Sequence, residues 1–343
     1  MHHVFAAAPQ RVYWEMTRAC DLACRHCRAE AQPCCAPGEL DTDEAKRVLD
    51  QLAGVDAPRP HLVFTGGDPL KRADLMELVA HAVASGLQVS VSPAVTPLLT
   101  RDNLRAMKEA GVDAISLSLD GSDAERHDGL RGVPGTFVRT LAAMRDAVEA
   151  GLLVQVNTLV TSATLPDLPA VDALVTGLAV QRWSLFFLIA VGRGRELGQI
   201  TPEECETLFA WVYERAQRKG GPIVTTTEAP HYRRVVLERN PRGGPPRGSG
   251  IRDGNGIMFI SSTGEISPSG FLPLVAGNVR ESNPIDVYRF APLFQALRDP
   301  HAFEGKCGRC EYRNVCGGSR ARAWMATGSP LGTDPLCAYE PRA

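Results

Sequence analysis

Along residues 11–188, short runs of apolar and β-branched side chains alternate with longer stretches whose apolar positions recur every three to four residues. This is the pattern of βα units. The runs predict strands at 11–17, 62–65, 88–92, 114–119, 154–160 and 183–188. Asp41 with Glu44 forms a capping box ahead of a helix over 45–52, and Gly86, Gly111 and Gly151 stand where helices should stop before strands. Six parallel strands with crossover helices follow from this alternation. A doubly wound open sheet and a partial barrel both satisfy it.

Beyond that region, Thr201-Pro202-Glu203-Glu204 combines a cap, an N1 proline and a capping-box glutamate, which predicts a helix to about residue 219. A further strand is expected at 222–227. Residues 239–250, RNPRGGPPRGSG, lose all periodicity and read as a linker. Runs at 257–261 and 265–267 flank Ser262-Thr263-Gly264 as a hairpin, and turn-rich, cysteine-rich sequence completes the chain.

The 343 residues suffice for about two domains. Hydrophobic residues at 44% and charged residues at 22% exclude a disordered or fibrous chain. The net charge of −2 supplies no excess positive field, so neither nucleic acid nor a membrane surface is expected as a partner. No apolar stretch is long enough for a secretory signal or a membrane span, and a cytoplasmic location is expected. In that reducing compartment ten cysteines point to metal binding rather than disulfides.

Cys20, Cys24 and Cys27 form C-x3-C-x2-C in the loop after the first strand. Three thiolates within eight residues can face one metal centre, zinc or iron–sulfur, and on a four-iron cluster they leave one iron open. Gly66-Gly67-Asp68-Pro69 follows the second strand; on turn chemistry alone it is a tight turn. With His26 before the last cysteine, the two segments together resemble the radical S-adenosylmethionine (radical SAM) superfamily. The resemblance implies that Cys20, Cys24 and Cys27 hold a [4Fe–4S] cluster whose fourth iron is chelated by SAM. It also implies reductive cleavage of SAM to a 5′-deoxyadenosyl radical that takes a hydrogen atom from substrate. Gly66, Gly67, Asp68 and Pro69 are then expected at the cofactor, with Asp68 touching it or shaping the loop. Aspartate stands where the family more often has glutamate. Ser118, Asp120, Arg131 and the weaker candidate Asn157 match positions that the family uses for SAM, although each could equally be a strand-end cap or a surface group.

Near the C-terminus, Cys307, Cys310 and Cys316 form C-x2-C-x5-C, with Cys337 as a distant fourth. Four thiolates close a metal's shell, and the spacing alone admits structural zinc. The stretch looks like the SPASM/twitch extension of radical SAM enzymes. Arg320 stands where the full pattern continues with a cysteine, and Ser269 occupies the cysteine place of the hairpin. One auxiliary [4Fe–4S] cluster is therefore expected, and two clusters in total. Cys34, Cys35 and Cys205 fit neither set and are expected to be free thiols.

The resemblance thus implies an α/β fold: a partial (β/α)6 TIM-like barrel over 8–238, a linker over 239–250 and a small C-terminal iron–sulfur domain over 251–343. It implies an electron donor such as a flavodoxin or ferredoxin, and a peptide or another small-molecule substrate, with haem-type tetrapyrroles as the alternative. The polar segment after the seventh strand supplies weak candidates for substrate contact. If it faces the cleft, Arg233 and Arg234 could hold carboxylates, and Glu228, His231 or Tyr232 could serve catalysis, the last two by moving a proton. Two other classes stay open at this point, a non-catalytic iron–sulfur electron carrier and a zinc-stabilised binding module.

Overall fold

A computed structural model describes residues 5–246 and 248–342; Arg247 of the expected linker and the first four residues lie outside the described residues. Seven strands run parallel in chain order: β1 (Arg11–Glu15), β2 (His61–Thr65), β3 (Gln88–Val91), β4 (Ala114–Ser118), β5 (Leu153–Val160), β6 (Arg182–Phe187) and β7 (Ile223–Thr227). The six expected strands are thus extended by one, since β7 pairs parallel with β6. The chain then crosses to the far side of β1. There β9 (Gly256–Ile260) pairs parallel with β1, in register Arg11 with Ile257 through Trp14 with Ile260. The two-residue β8 (Arg252–Asp253) pairs with β9, while β10 (Glu265–Ser267) and β11 (Gly277–Asn278) continue the edge antiparallel. The predicted hairpin is β9–β10, and the segment after the expected linker joins the same sheet.

The strands alternate strictly between two environments. Val12, Trp14, Leu62, Phe64, Ile115, Leu117, Val154, Val156, Trp183 and Leu185 are buried in one continuous core with the crossover helices. Intervening residues, among them Tyr13, Ser116, Ser118, Gln155, Asn157 and Ser184, face a cavity on the other side. A doubly wound sheet would carry apolar residues on both faces, because helices cover both. One polar face is what a partial barrel requires, and this is the architecture present.

Local signals hold the helices in place. Asp41 accepts from the Glu44 amide at 2.8 Å, and the Glu44 carboxylate accepts from the Asp41 amide at 3.0 Å, closing the predicted box. Thr201 and Glu204 repeat it ahead of Pro202–Gln217. Gly86, Gly111 and Gly151 have φ of 79°, 95° and 77°, the left-handed conformation that lets a helix end and the chain turn into a strand. No helix among the described residues is long and apolar enough to cross a membrane.

Candidate active site

The cavity on the polar face has a volume of about 830 Å³ and runs from the loop after β1 to the segment after β7. Cys20, Cys24 and Cys27 all line it. Cys20 and Cys24 are buried, and burial pushes the Cys20 thiol up to about 11. Donors already point at the sulfurs: the Leu22 amide lies 3.4 Å from Cys20 Sγ, the Ala31 amide 3.4 Å from Cys27 Sγ, and Arg131 Nη1 3.7 Å from Cys24 Sγ. Buried thiols that face donors and share one wall suit a cationic metal centre, which makes thiolates of them.

The Gly66–Pro69 turn meets this wall for a reason different from the expected one. A Cβ on Gly66 would stand 2.4 Å from the Thr17 carbonyl oxygen, and one on Gly67 would stand 2.4 Å from that of Ala19. Both glycines line the cavity, but it is the backbone after β1 that demands them. Asp68 is fully buried and turned away from the cavity. Its carboxylate accepts from Thr96 Oγ1 at 2.7 Å and from the Leu70 and Ala94 amides at 3.2 and 3.4 Å, so it shapes the loop. Pro69 starts the short turn Pro69–Lys71 and also stays outside the cavity lining.

Ser118, Asp120, Arg131 and Asn157 all line the cavity beside the cysteines. Asp120 is buried; it accepts from the Leu159 amide at 2.7 Å and from Arg131 Nη2 in a close ion pair. Burial works against the Arg131 charge, but Asp120 and the Cys24 sulfur hold its pKa above the ordinary arginine value. Asn157 accepts from Gln155 Nε2 at 2.8 Å. His26 also faces the cavity, with a buried Nδ1 that has no protein partner; burial and Arg131 hold this ring down to about 4 and so neutral.

A family model described as the radical SAM superfamily matches residues 14–170. An AdoMet-dependent heme synthase of Oleidesulfovibrio alaskensis is 41% identical over 96% of this chain and 87% of its own length. The chain belongs to the radical SAM superfamily. An enzyme of the same name from Methanosarcina barkeri is 38% identical over 97% of both chains. In structure, Streptococcus suis SuiB bound to S-adenosylmethionine superposes with a TM-score of 0.75 at 18% identity, over 97% of this chain and 78% of that one. As a radical SAM enzyme the chain binds a [4Fe–4S] cluster and SAM, and its substrate is an organic molecule.

In this radical SAM enzyme the four C-terminal cysteines, Cys307, Cys310, Cys316 and Cys337, line a second, smaller pocket. The Gly318 amide lies 3.3 Å from Cys316 Sγ and Arg320 Nη2 lies 3.4 Å from Cys307 Sγ. Burial raises the Cys310, Cys316 and Cys337 thiols, the last to about 11. Among the described residues no three His, Cys, Asp or Glu side chains close on a single metal ion. Four thiols around one pocket match the four-cysteine shell of a cluster. Ser269 lines the larger cavity, and Cys34 and Cys35 are exposed, away from both sets.

The segment after β7 divides between the two pockets. Glu228, Tyr232 and Arg233 line the large cavity. His231 and Arg234 do not, which corrects the expectation that they meet substrate there. The helix Tyr232–Arg239 turns successive side chains by about 100°. Arg234 therefore points back to Glu206 and Glu238 and stacks 4.8 Å over the Tyr339 ring. His231 faces the cysteine pocket, with Nε2 3.3 Å from Cys205 Sγ, and burial holds it down to about 4. The sequence reading missed Arg252 and Asp253, which line the cavity from β8. It also missed Ser116, Gln155 and Ser184, although their period-2 alternation with apolar neighbours was visible.

Glu228 has φ of 57°, accepts from Ser319 Oγ at 2.5 Å and receives Arg322 Nη2 on its carbonyl at 2.8 Å. Burial and the neighbouring Asp253 raise its carboxyl from 4.5 to about 8. The folded state therefore holds this proton more tightly than the unfolded chain does. Its stabilisation is complete below about 4.5 and is lost as pH rises towards about 8. Glu228→Gln should remove this loss, so thermal midpoints of variant and parent should diverge in the variant's favour as pH climbs through that window. Parallel pH profiles would refute the raised affinity of Glu228 for its proton.

Proposed function

We propose that this radical SAM enzyme remodels a side chain of a haem-type tetrapyrrole. Cys20, Cys24 and Cys27 hold the SAM-binding cluster, and Cys307, Cys310, Cys316 and Cys337 hold one auxiliary [4Fe–4S] cluster. The observation that carries the reading is the likeness to AdoMet-dependent heme synthases over nearly the whole chain. Cavity size supports it, because about 830 Å³ lies in the upper part of the range of small-molecule and cofactor sites. This moves the tetrapyrrole alternative ahead of the peptide expected first from the sequence. The barrel over 8–238 and the cluster region over 251–343 supply opposite walls, joined through 239–250.

When bound, the cluster supplies the electron that cleaves SAM, giving the 5′-deoxyadenosyl radical that abstracts hydrogen. The chain's own residues orient and protect this chemistry. Asp120 fixes Arg131 beside Cys24, and Ser118 at the end of β4 and Asn157 within β5 present hydrogen-bonding groups to the cavity. On the opposite wall Arg233 and Arg252 offer cations to a substrate carboxylate, and Glu228 holds a proton within the same cavity. A flavodoxin or ferredoxin in the cytoplasm serves as the electron source.

Anaerobic incubation of reconstituted enzyme with SAM, reductant and a carboxylate-bearing iron tetrapyrrole should yield 5′-deoxyadenosine together with a tetrapyrrole of altered mass. Abundant 5′-deoxyadenosine without any such mass change would reject the tetrapyrrole; turnover of a peptide instead would restore the first expectation. Arg233→Ala should cut substrate turnover at least tenfold while sparing SAM cleavage in the absence of substrate, as expected for a lost charge-assisted contact of about 1.5–3 kcal/mol. Arg234→Ala should spare both activities and lower the thermal midpoint instead. Equal loss of both activities in Arg233→Ala would make that arginine structural.

A further inference from the structure

Beside the C-terminal cysteines, two buried arginines, Arg320 and Arg252, and the half-buried Arg233 form no ion pair among the described residues. Arg320 is 0% exposed. Its Nη1 donates to the Gly332 and Pro330 carbonyls at 2.8 and 3.3 Å, its Nε to that of Gly318 at 3.3 Å, and its Nη2 to Cys307 Sγ at 3.4 Å. Arg252 is also buried and donates to the Gly250 and Leu297 carbonyls at 3.0 and 3.3 Å. The two guanidinium groups lie over the same Phe303 ring, 4.7 and 4.9 Å from its centroid. Arg233 completes the group, donating to the carbonyl of Val315 next to Cys316 at 3.2 Å.

Burying a cation without a counter-charge costs several kcal/mol, and carbonyl contacts return only part of it. The strain is visible in their proton affinities: burial, then Arg320 and Arg233, pull Arg252 down to about 9, and burial pulls Arg233 down to about 10. Of the neighbouring acids, Asp253 offsets only part of the Arg252 charge. Asp334 pairs with Arg322 at 3.1 Å, and Asp253 receives the Ala321 amide at 3.0 Å and stands against Glu228. What remains to balance Arg320 is the cysteine pocket itself, while Arg252 and Arg233 stand between that pocket and the large cavity.

We propose that Arg320, backed by Arg252 and Arg233, acts on the auxiliary cluster by raising its reduction potential, so that the C-terminal site is tuned to accept an electron. The inference rests on the auxiliary-cluster reading given above. A four-thiolate cluster is anionic, and reduction adds one more negative charge. Fixed cations in a dry setting favour the more negative state, and a guanidinium hydrogen bond on a ligand sulfur acts in the same direction. Arg320 is then a tuning residue that works through the sulfur of Cys307. It stands at the position where the related sequence pattern would place another cysteine.

The test is a potentiometric titration of the reconstituted full-length enzyme, followed by electron paramagnetic resonance after iron and sulfide have been counted. The parent should hold about eight irons and show two separable reduction waves. Arg320→Met should shift the auxiliary wave to more negative potential and leave the SAM-cluster wave in place. Arg320→Lys, which keeps the charge, should shift it less. Arg252→Met should shift the same wave in the same direction, and it carries the test alone if Arg320→Met fails to load its second cluster. Full iron loading with an unmoved auxiliary wave in the Met variants would overturn the proposal. About four irons in the parent would overturn the auxiliary-cluster reading itself, and this proposal with it.

Discussion

Alanine at Cys24 is expected to remove about four irons per chain and to abolish reductive cleavage of SAM. The three cysteines of the β1 loop line one cavity, and three thiolates are the fewest that hold a cluster with one open iron. Losing one of three thiolates therefore leaves the cluster unheld. The missing sulfur also leaves Asp120 as the remaining side-chain acceptor of Arg131, which points at Cys24 from 3.7 Å. Iron assay together with chromatographic detection of 5′-deoxyadenosine reads the outcome. Cys34→Ala and Cys35→Ala are the controls, since both thiols are exposed and should keep full iron. Parent-level 5′-deoxyadenosine from Cys24→Ala would refute the ligand assignment, whereas iron loss from either control would show that the set was drawn wrongly.

Arg131→Met is the second large effect, and its primary readout is stability. The Arg131 and Asp120 side chains are 11% and 2% exposed, so methionine leaves a buried carboxylate without its cation. Breaking one half of such a pair costs about 3–5 kcal/mol, whereas removing both charges costs far less. The thermal midpoint of Arg131→Met should therefore fall by several degrees, and Asp120→Asn in the same chain should recover most of the loss. Against the opposing effect of burial, Arg131 holds the Asp120 carboxyl below its ordinary value. The pair's contribution is thus present above the ordinary aspartate pKa and is lost as pH falls through the depressed one. A double variant no more stable than Arg131→Met alone would show that the pair is not what holds these loops.

Much of the site could be read without coordinates because its chemistry is local in sequence. Cys20, Cys24 and Cys27 fall within one loop, and spacing alone brings their sulfurs to one wall. Capping boxes at Asp41 and Thr201 and helix stops at Gly86, Gly111 and Gly151 are likewise matters of a few adjacent residues. Where side-chain direction decides, the sequence reading divided. Arg233 and Arg234 are neighbours with the same charge, yet the rotation of about 100° between successive helical residues sends the first into the cavity and the second to Glu206. Asp68 carried the expectation of a cofactor contact or a loop-shaping role, and the Thr96 hydroxyl that settles it lies 28 residues away.

The sequence by itself therefore determined the alternation of strands and helices and the two cysteine motifs, which are matters of residues close along the chain, and its resemblance to a known family implied the radical SAM chemistry. Only the tertiary structure decided that β9 returns to lie beside β1, that β7 extends the barrel, and that Asp253 meets Glu228. It also decided that Arg320 reaches the sulfur of Cys307. These are pairings between segments far apart in the chain, selected by the burial of one apolar sheet face and by the need of buried charges for partners, and no local pattern of residues encodes them.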